Sequence, residues 1–155
     1  MGREMKTESG RSLIEIIGVL AITAVMTAAT IAMYNTIRKN QTHTIASAEL
    51  REVAKNIKLL FDMRGDYTGV SVDWLVKAGA LKNDKAPLGE SWSIEPTSDA
   101  SGFVINLRGL SHSNCDFLAV SAPSWASSII VNGQENESSP ICFSGNTNNI
   151  TFIAQ

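Results

Sequence analysis

The chain has few of the residue types that build metal sites or nucleic-acid surfaces. Its 155 residues include only two cysteines and two histidines, and no spacing of His, Cys, Asp and Glu is typical of a closed metal site. The formal net charge is -2. Because no long run of Lys or Arg marks a basic stripe, no specific nucleic-acid surface is predicted. We therefore expect no metal and no cofactor.

Charge and helix breakers are both missing from the N-terminal part of the chain. No charged residue occurs between Ile16 and Ile37, and neither Gly nor Pro occurs between Val19 and Met63. A helix of about 20 apolar residues crosses a bilayer core of about 30 Å, so this segment is long enough to span a membrane. Its threonine hydroxyls can bond back to helix carbonyls and do not prevent insertion. Glu15 stands at the start of the segment, and a carboxylate in lipid is costly enough to imply a partner.

Beyond Arg38 the same helix changes character. Apolar residues recur at helical spacing and charged residues take the opposite face, so this half is amphipathic and must pack on something. The apolar positions are Leu50, Val53, Ile57, Leu60 and Phe61. Gly65 follows as a plausible helix terminator in the left-handed conformation. The sequence therefore predicts one long helix whose two halves have different surroundings.

The rest of the chain predicts a small antiparallel sheet after an irregular connection. Residues 66–101 form that connection and contain a short helix over 72–78, with Ser71 as its N-cap. Strands are predicted at 103–107, 129–131, 141–143 and 149–153, together with a short helix that Ser113–Asn114 caps. Asn132–Gly133 is a strong hairpin signal. We predict an α+β fold in which the amphipathic half of the long helix covers the sheet.

Cys115 and Cys142 fall late in a Ser/Asn-rich domain, which suits a single disulfide in an oxidising compartment. Two free buried thiols are the alternative. The charges that flank the apolar segment do not settle its orientation, so the cysteines are what place the C-terminal domain outside the cytoplasm. The apolar run is longer than that of a secretory signal, but conventional cleavage in the Ala-rich stretch 24–32 is not excluded.

Residues 10–22 resemble the N-terminal processing motif of type IV pilins and pseudopilins. The similarity rests on Gly10, on Leu13-Ile14-Glu15, and on the uninterrupted apolar helix after a polar leader. In that family a prepilin peptidase cuts after the glycine and methylates the new amino terminus. The resemblance implies that Gly10 and Arg11 flank the cut, that Arg11 receives the methyl group, and that Glu15 guides assembly. Arg11 departs from the family, whose first mature residue is usually apolar.

The resemblance also implies a structural subunit rather than an enzyme, with a definite organisation and set of partners. Residues 1–10 are the leader, 11–37 the transmembrane and filament-core helix, and 38–155 a globular head with a connecting loop at about 66–101 and a sheet and disulfide-bounded region at 102–155. The precursor is a single-pass inner-membrane protein with a periplasmic C-terminal domain, and the mature subunit enters an extracellular pilus. The implied partners are further copies of the chain, the peptidase, the assembly platform and minor pilins.

Two features, Trp92 after Gly89 and the placement of the two cysteines, resemble type IVb pilins, including conjugative-plasmid pilins. Two alternatives stay open. One is a minor pilin or pseudopilin of a secretion or DNA-uptake machine, and the other is a membrane-anchored binding domain that never polymerises. His43 and His112 stand alone in polar settings, where surface or cap roles are expected rather than catalysis.

Overall fold

The structure is a computed structural model that describes residues 5–135 and 141–155, with side chains from residue 12 onward. Residues 1–4 of the predicted leader lie outside the described part. The chain forms two compact units, residues 1–42 and residues 43–155. The first helix, α1 (Met5–Phe61), contributes residues to both.

In the first unit, every described side chain from residue 12 to residue 42 is exposed. The hydroxyl groups of Thr23, Thr27 and Thr30 each donate to the carbonyl oxygen four residues earlier, at 2.7 to 2.8 Å. The central part of the apolar segment has no other polar side chains, so its polar groups are all satisfied within the helix itself. By length and composition, the helix is able to cross a membrane.

The second unit is built on the last five turns of α1. One face of this helical segment is buried in a single apolar cluster, with residues at helical spacing: Ala46, Leu50, Val53, Ala54, Ile57 and Phe61. The helix ends as the sequence predicts. Gly65 adopts φ +80°, and its backbone N–H donates to the carbonyl oxygen of Phe61 at 3.1 Å, a contact that the left-handed glycine makes possible.

Five strands and two short helices complete this unit. They follow along the chain as α2 (Val72–Lys77), β1 (Ser91–Pro96), β2 (Phe103–Leu110), α3 (His112–Ser121), β3 (Ser128–Val131), β4 (Gln134–Glu135) and β5 (Asn148–Ala154). The strands form one sheet in the order β1-β2-β5-β3-β4, and all four pairings are antiparallel.

Alternation of side chains gives the sheet one buried face. Ile105 pairs with Phe152 and Leu107 pairs with Ile150, and these four side chains are fully buried. The register shifts beyond Leu107 at a bulge that contains Gly109, which adopts φ +69°. A Cβ atom at this glycine would lie 2.8 Å from the Cβ atom of Glu90, so both the backbone conformation and the space require glycine.

The prediction of a long helix on a small antiparallel sheet is confirmed, but three local predictions are wrong. The connection predicted to be irregular contains strand β1, which pairs along its whole length with β2. Residues 141–143 form no strand. Helix α3 begins at His112 under an N-cap from Ser111, whose Oγ accepts from the backbone N–H of Asn114 at 3.3 Å; the predicted cap at Ser113–Asn114 lies inside the helix.

Candidate assembly helix and disulfide-bounded region

The first candidate site is the apolar surface of α1 in the first unit. Its large apolar side chains from Leu13 to Ile37 have exposed fractions between 49 % and 73 %. An apolar surface of this length is stable only when lipid or other protein covers it. The surface therefore indicates a function in a membrane, in a helical assembly, or in both.

Glu15 is the only charged residue among the described side chains of residues 12–37, and it is exposed. Within the described side chains no cation lies within ion-pair distance of its carboxylate. Gly10 and Arg11 belong to the helical part of α1, but their side chains lie outside the described part of the chain. The structure thus places the predicted cut and the predicted assembly carboxylate on consecutive turns of one helix.

The second candidate site is the region between the two cysteines. Cys115 and Cys142 form a disulfide that joins residues 27 positions apart. Cys115 is buried in α3. Trp125, inside the bridged stretch, packs against the core with its ring centroid 5.3 Å from that of Phe152. Trp125 is therefore half-buried and joins the bridged stretch to the core.

Two asparagines, Asn148 and Asn132, hydrogen-bond to the backbone on both sides of Cys142. Asn148 is the only buried polar residue among those described. Its Oδ1 accepts from the backbone N–H of Phe143 at 2.6 Å, and its Nδ2 donates to the carbonyl oxygens of Phe143, Leu110 and Gly145 at 2.9 to 3.3 Å. An amide buried without such partners would be strongly destabilising. We call residues 141–145 the clamped segment, because side-chain amides fix its backbone.

Asn132 completes the clamp from the β3–β4 turn. Its Nδ2 donates to the carbonyl oxygen of Ile141 at 2.8 Å and to Asn148 Oδ1 at 3.0 Å. Ile141 and Phe143 are about half exposed, so the clamp holds two large apolar side chains at the surface. Sequence reasoning missed this arrangement. The run of asparagines near residue 148 is visible in the sequence, but nothing local distinguishes a buried asparagine from a solvated one.

Each of the two histidines contacts a neighbouring polar side chain of the head. The ring of His43 stacks on that of Phe117, with centroids 4.3 Å apart, and its Nε2 lies 2.9 Å from Asn114 Oδ1. His112 Nε2 lies 3.2 Å from a carboxylate oxygen of Asp116, with both side chains about half exposed. Ser111 does not form a catalytic triad with His112 and Asp116, since its hydroxyl oxygen caps α3.

Two ionisable groups of the head have displaced pKa values. Burial and a 2.5 Å hydrogen bond to the carboxylate of Asp62 raise the pKa of Tyr67 to about 12. Both effects favour the neutral phenol, because the phenolate would be desolvated and would face another negative charge. At the exposed tip of the β1–β2 turn, hydrogen bonds from Thr97 and Ser101 lower the pKa of Asp99 to about 2. Neither group lies in a constellation that resembles a catalytic site.

Comparisons with known proteins bear on the fold. No protein-family model matches the chain, and no curated protein matches it. Among solved structures, the chain is similar to TcpA, a type IV pilin from Vibrio cholerae El Tor biotype, with a TM-score of 0.59. That match covers 74 % of this chain and 99 % of the other, at 16 % sequence identity. The long N-terminal helix and the small antiparallel sheet of this chain are therefore those of the type IV pilin fold.

Proposed function

We propose that the chain is a structural subunit of a bacterial type IV pilus-like filament. It is made as a prepilin with a single membrane span and a periplasmic head, and it polymerises through the N-terminal half of α1. Its partners are further copies of itself, a prepilin peptidase, the assembly platform and minor pilins. Within the family we assign it to the type IVb group, which includes conjugative-plasmid pilins, and the support for this is Trp92 after Gly89 and the placement of the two cysteines.

The observation that carries the proposal is the exposed, charge-free surface of α1 in a chain with the type IV pilin fold. In the precursor, lipid covers this surface. In a filament, the same surfaces of neighbouring copies cover one another. The transfer is feasible because the surface carries no charge between Ile16 and Ile37, so no ionised group must be desolvated along that length.

Glu15 favours the transfer of the helix from lipid into the filament. A carboxylate in an apolar bundle is tolerated only with a cation beside it, and none of the described residues supplies one. Cleavage after Gly10 creates a terminal ammonium on Arg11, so every processed copy brings the cation that another copy's Glu15 lacks. Losing one partner of a desolvated ion pair costs about 3–5 kcal/mol, which is enough to fix the stagger between helices.

Processing is the sharpest test of this function. The full chain is expressed in a host with a prepilin peptidase, and its mature N-terminus is measured by intact mass. We expect a start at Arg11. Gly10→Val should block the cut by crowding the peptidase site, whereas the matched change Gly2→Val, in the same leader, should leave it unaffected.

Each other outcome of this experiment would support one of the alternative functions. A mature start within residues 24–32 would indicate an ordinary signal peptide. An intact N-terminus in the presence of an active peptidase would indicate a membrane-anchored domain that does not polymerise. If the cut occurs, the quantity of subunit in sheared filaments distinguishes a major pilin from a minor pilin or pseudopilin.

A further inference from the structure

The tip of the β3–β4 hairpin carries a chemically labile pair. Asn132–Gly133 is the only Asn-Gly dipeptide in the sequence. Its two residues adopt φ +50° and φ +82°, the paired positive values that a two-residue hairpin turn needs. A backbone nitrogen that follows asparagine can attack the side-chain amide carbon, and glycine offers no side chain to hinder it. Asparagine is accordingly among the thermolabile residue types.

In the folded head, the side-chain amide of Asn132 is held at both ends. Its Nδ2 donates to Ile141 and Asn148, as described above. Its Oδ1 accepts from the backbone N–H of Asn149 at 2.9 Å. The backbone N–H of Asn132 also donates to the carbonyl oxygen of Asn149 at 2.9 Å. Rotation of the amide toward the nitrogen of Gly133 would break three side-chain hydrogen bonds, so attack requires that this network first opens.

The network depends on the disulfide. Two of the three partners of the Asn132 amide lie in, or are bonded to, the clamped segment, and Cys142 sits at the second position of that segment. The bridge to Cys115 in α3 and the hydrogen bonds of Asn148 are what keep this irregular backbone next to the hairpin. Once the bridge is broken, the segment keeps its hydrogen bonds and the packing of Cys142 against the core, but it loses its covalent link to α3.

We propose that Asn132 is a modification site, a deamidation position that the folded, oxidised head keeps closed and that loss of the Cys115–Cys142 bridge opens. The backbone nitrogen of Gly133 bonds to Cγ of Asn132, the Cγ–Nδ2 bond breaks, and Nδ2 leaves as ammonia with the proton from the Gly133 N–H. Water then opens the resulting succinimide at either carbonyl, which gives aspartate or isoaspartate. No oxidant or reductant takes part in this step. Loss of the bridge is a separate two-electron reduction, in which a dithiol reductant is oxidised to its disulfide while Cys115 and Cys142 become thiols.

The product cannot restore the clamp. A carboxylate in place of the Asn132 amide would direct an oxygen at the carbonyl oxygen of Ile141 and at Asn148 Oδ1, where the amide nitrogen donated. Both contacts would become repulsive, and the carbonyl oxygen of Ile141 would lose its partner. Deamidation therefore makes release of the clamped segment irreversible, and the exposed Ile141 and Phe143 lose their fixed positions.

The test uses the full-length chain in detergent, incubated at mildly alkaline pH in three states: oxidised, reduced and alkylated, and reduced in denaturant. Proteolysis after Glu135 at acidic pH, followed by tandem mass spectrometry, measures the conversion of Asn132. We expect conversion in the oxidised chain to be at least about tenfold slower than in denaturant, since only the open state reacts. The reduced chain without denaturant should react faster than the oxidised chain.

Two variants separate the clamp from general stability. Asn148→Ala removes one of the three partners of the Asn132 amide and the bonds that fix the clamped segment, and should accelerate conversion in the oxidised chain. Asn149→Ala, the adjacent change on the same strand, alters an exposed side chain whose backbone still holds Asn132, and should not. Equal conversion in the oxidised and denatured states would overturn the proposal, as would equal acceleration by the two variants. If Asn148→Ala fails to fold, the comparison of the three states of the wild-type chain decides alone.

Discussion

The Cys115–Cys142 bridge should contribute a large part of the stability of the head. It joins positions 27 residues apart, and the loop-entropy model gives about 3.5 kcal/mol for a closed loop of that length. Small domains have unfolding free energies of about 5–15 kcal/mol, so the bridge accounts for a quarter or more of the total. For a unit the size of residues 43–155, each kcal/mol shifts the melting temperature by about 3–5 °C. Reduction should therefore lower it by about 10–18 °C.

The assay is the thermal transition of tryptophan fluorescence, measured on the full chain in detergent with and without reductant. All three tryptophans, Trp74, Trp92 and Trp125, lie in the second unit, so the signal excludes the apolar helix. Cys142→Ser should melt at the temperature of the reduced wild type, and reductant should not shift it further.

Two results would refute the reasoning. One is a shift below about 3 °C when peptide mapping shows that the bridge has been reduced, since the model requires several times more. The other is two alkylatable thiols in chain whose head has been exported from the cytoplasm, since the bridge would then be absent in the compartment that the proposed function requires. A shift in Cys142→Ser on adding reductant would show that reductant acts elsewhere.

Three further predictions concern assembly, pH and packing. Glu15→Ala should leave membrane insertion and processing intact but reduce the yield of sheared filaments, because a neighbour's terminal ammonium loses its partner. If the variant forms filaments at the wild-type level, Glu15 has no role in assembly and acts at most as a processing determinant. Arg11→Phe, alone and with Glu15→Ala, shows whether the guanidinium adds to this pairing, and assembly equal to wild type would mean that the amine suffices. The pKa of Tyr67 is raised from 10.0 to about 12, so its contribution to stability is complete below pH 10 and declines as the pH rises toward 12. For Tyr67→Phe, the free energy of unfolding in denaturant should therefore depend less on pH in that interval. An unchanged pH dependence would contradict the assignment. Ile57→Ala truncates a fully buried side chain and should lower the free energy of unfolding in denaturant by about 2–5 kcal/mol. Ile45 is two-thirds exposed, so Ile45→Ala should lower it by about 0.5 kcal/mol or less. Equal losses would show that the core is misassigned.

Local rules were enough for the elements that depend on neighbouring residues. The length of the helix follows from the absence of Gly and Pro between Val19 and Met63, and its end follows from Gly65. Ser71 caps α2 with its side-chain oxygen, as the sequence predicts, and Asn132–Gly133 joins β3 to β4 in the expected hairpin. The residues of the proposed assembly site are likewise local, since Gly10, Arg11 and Glu15 are defined by their order along the chain.

Only the tertiary structure decided which segments pair and what the buried asparagine does. Strand β1 has little hydrophobic alternation of its own, with Ile94 as its one buried residue, and it is a strand because β2 supplies its hydrogen bonds. Residues 141–143 look like a strand in sequence, but the amides of Asn148 and Asn132 take the place of a neighbouring strand as partners of the Phe143 and Ile141 backbone. Backbone groups must be satisfied whatever the local propensity, and which partner satisfies them depends on residues that are distant in sequence and adjacent only after folding.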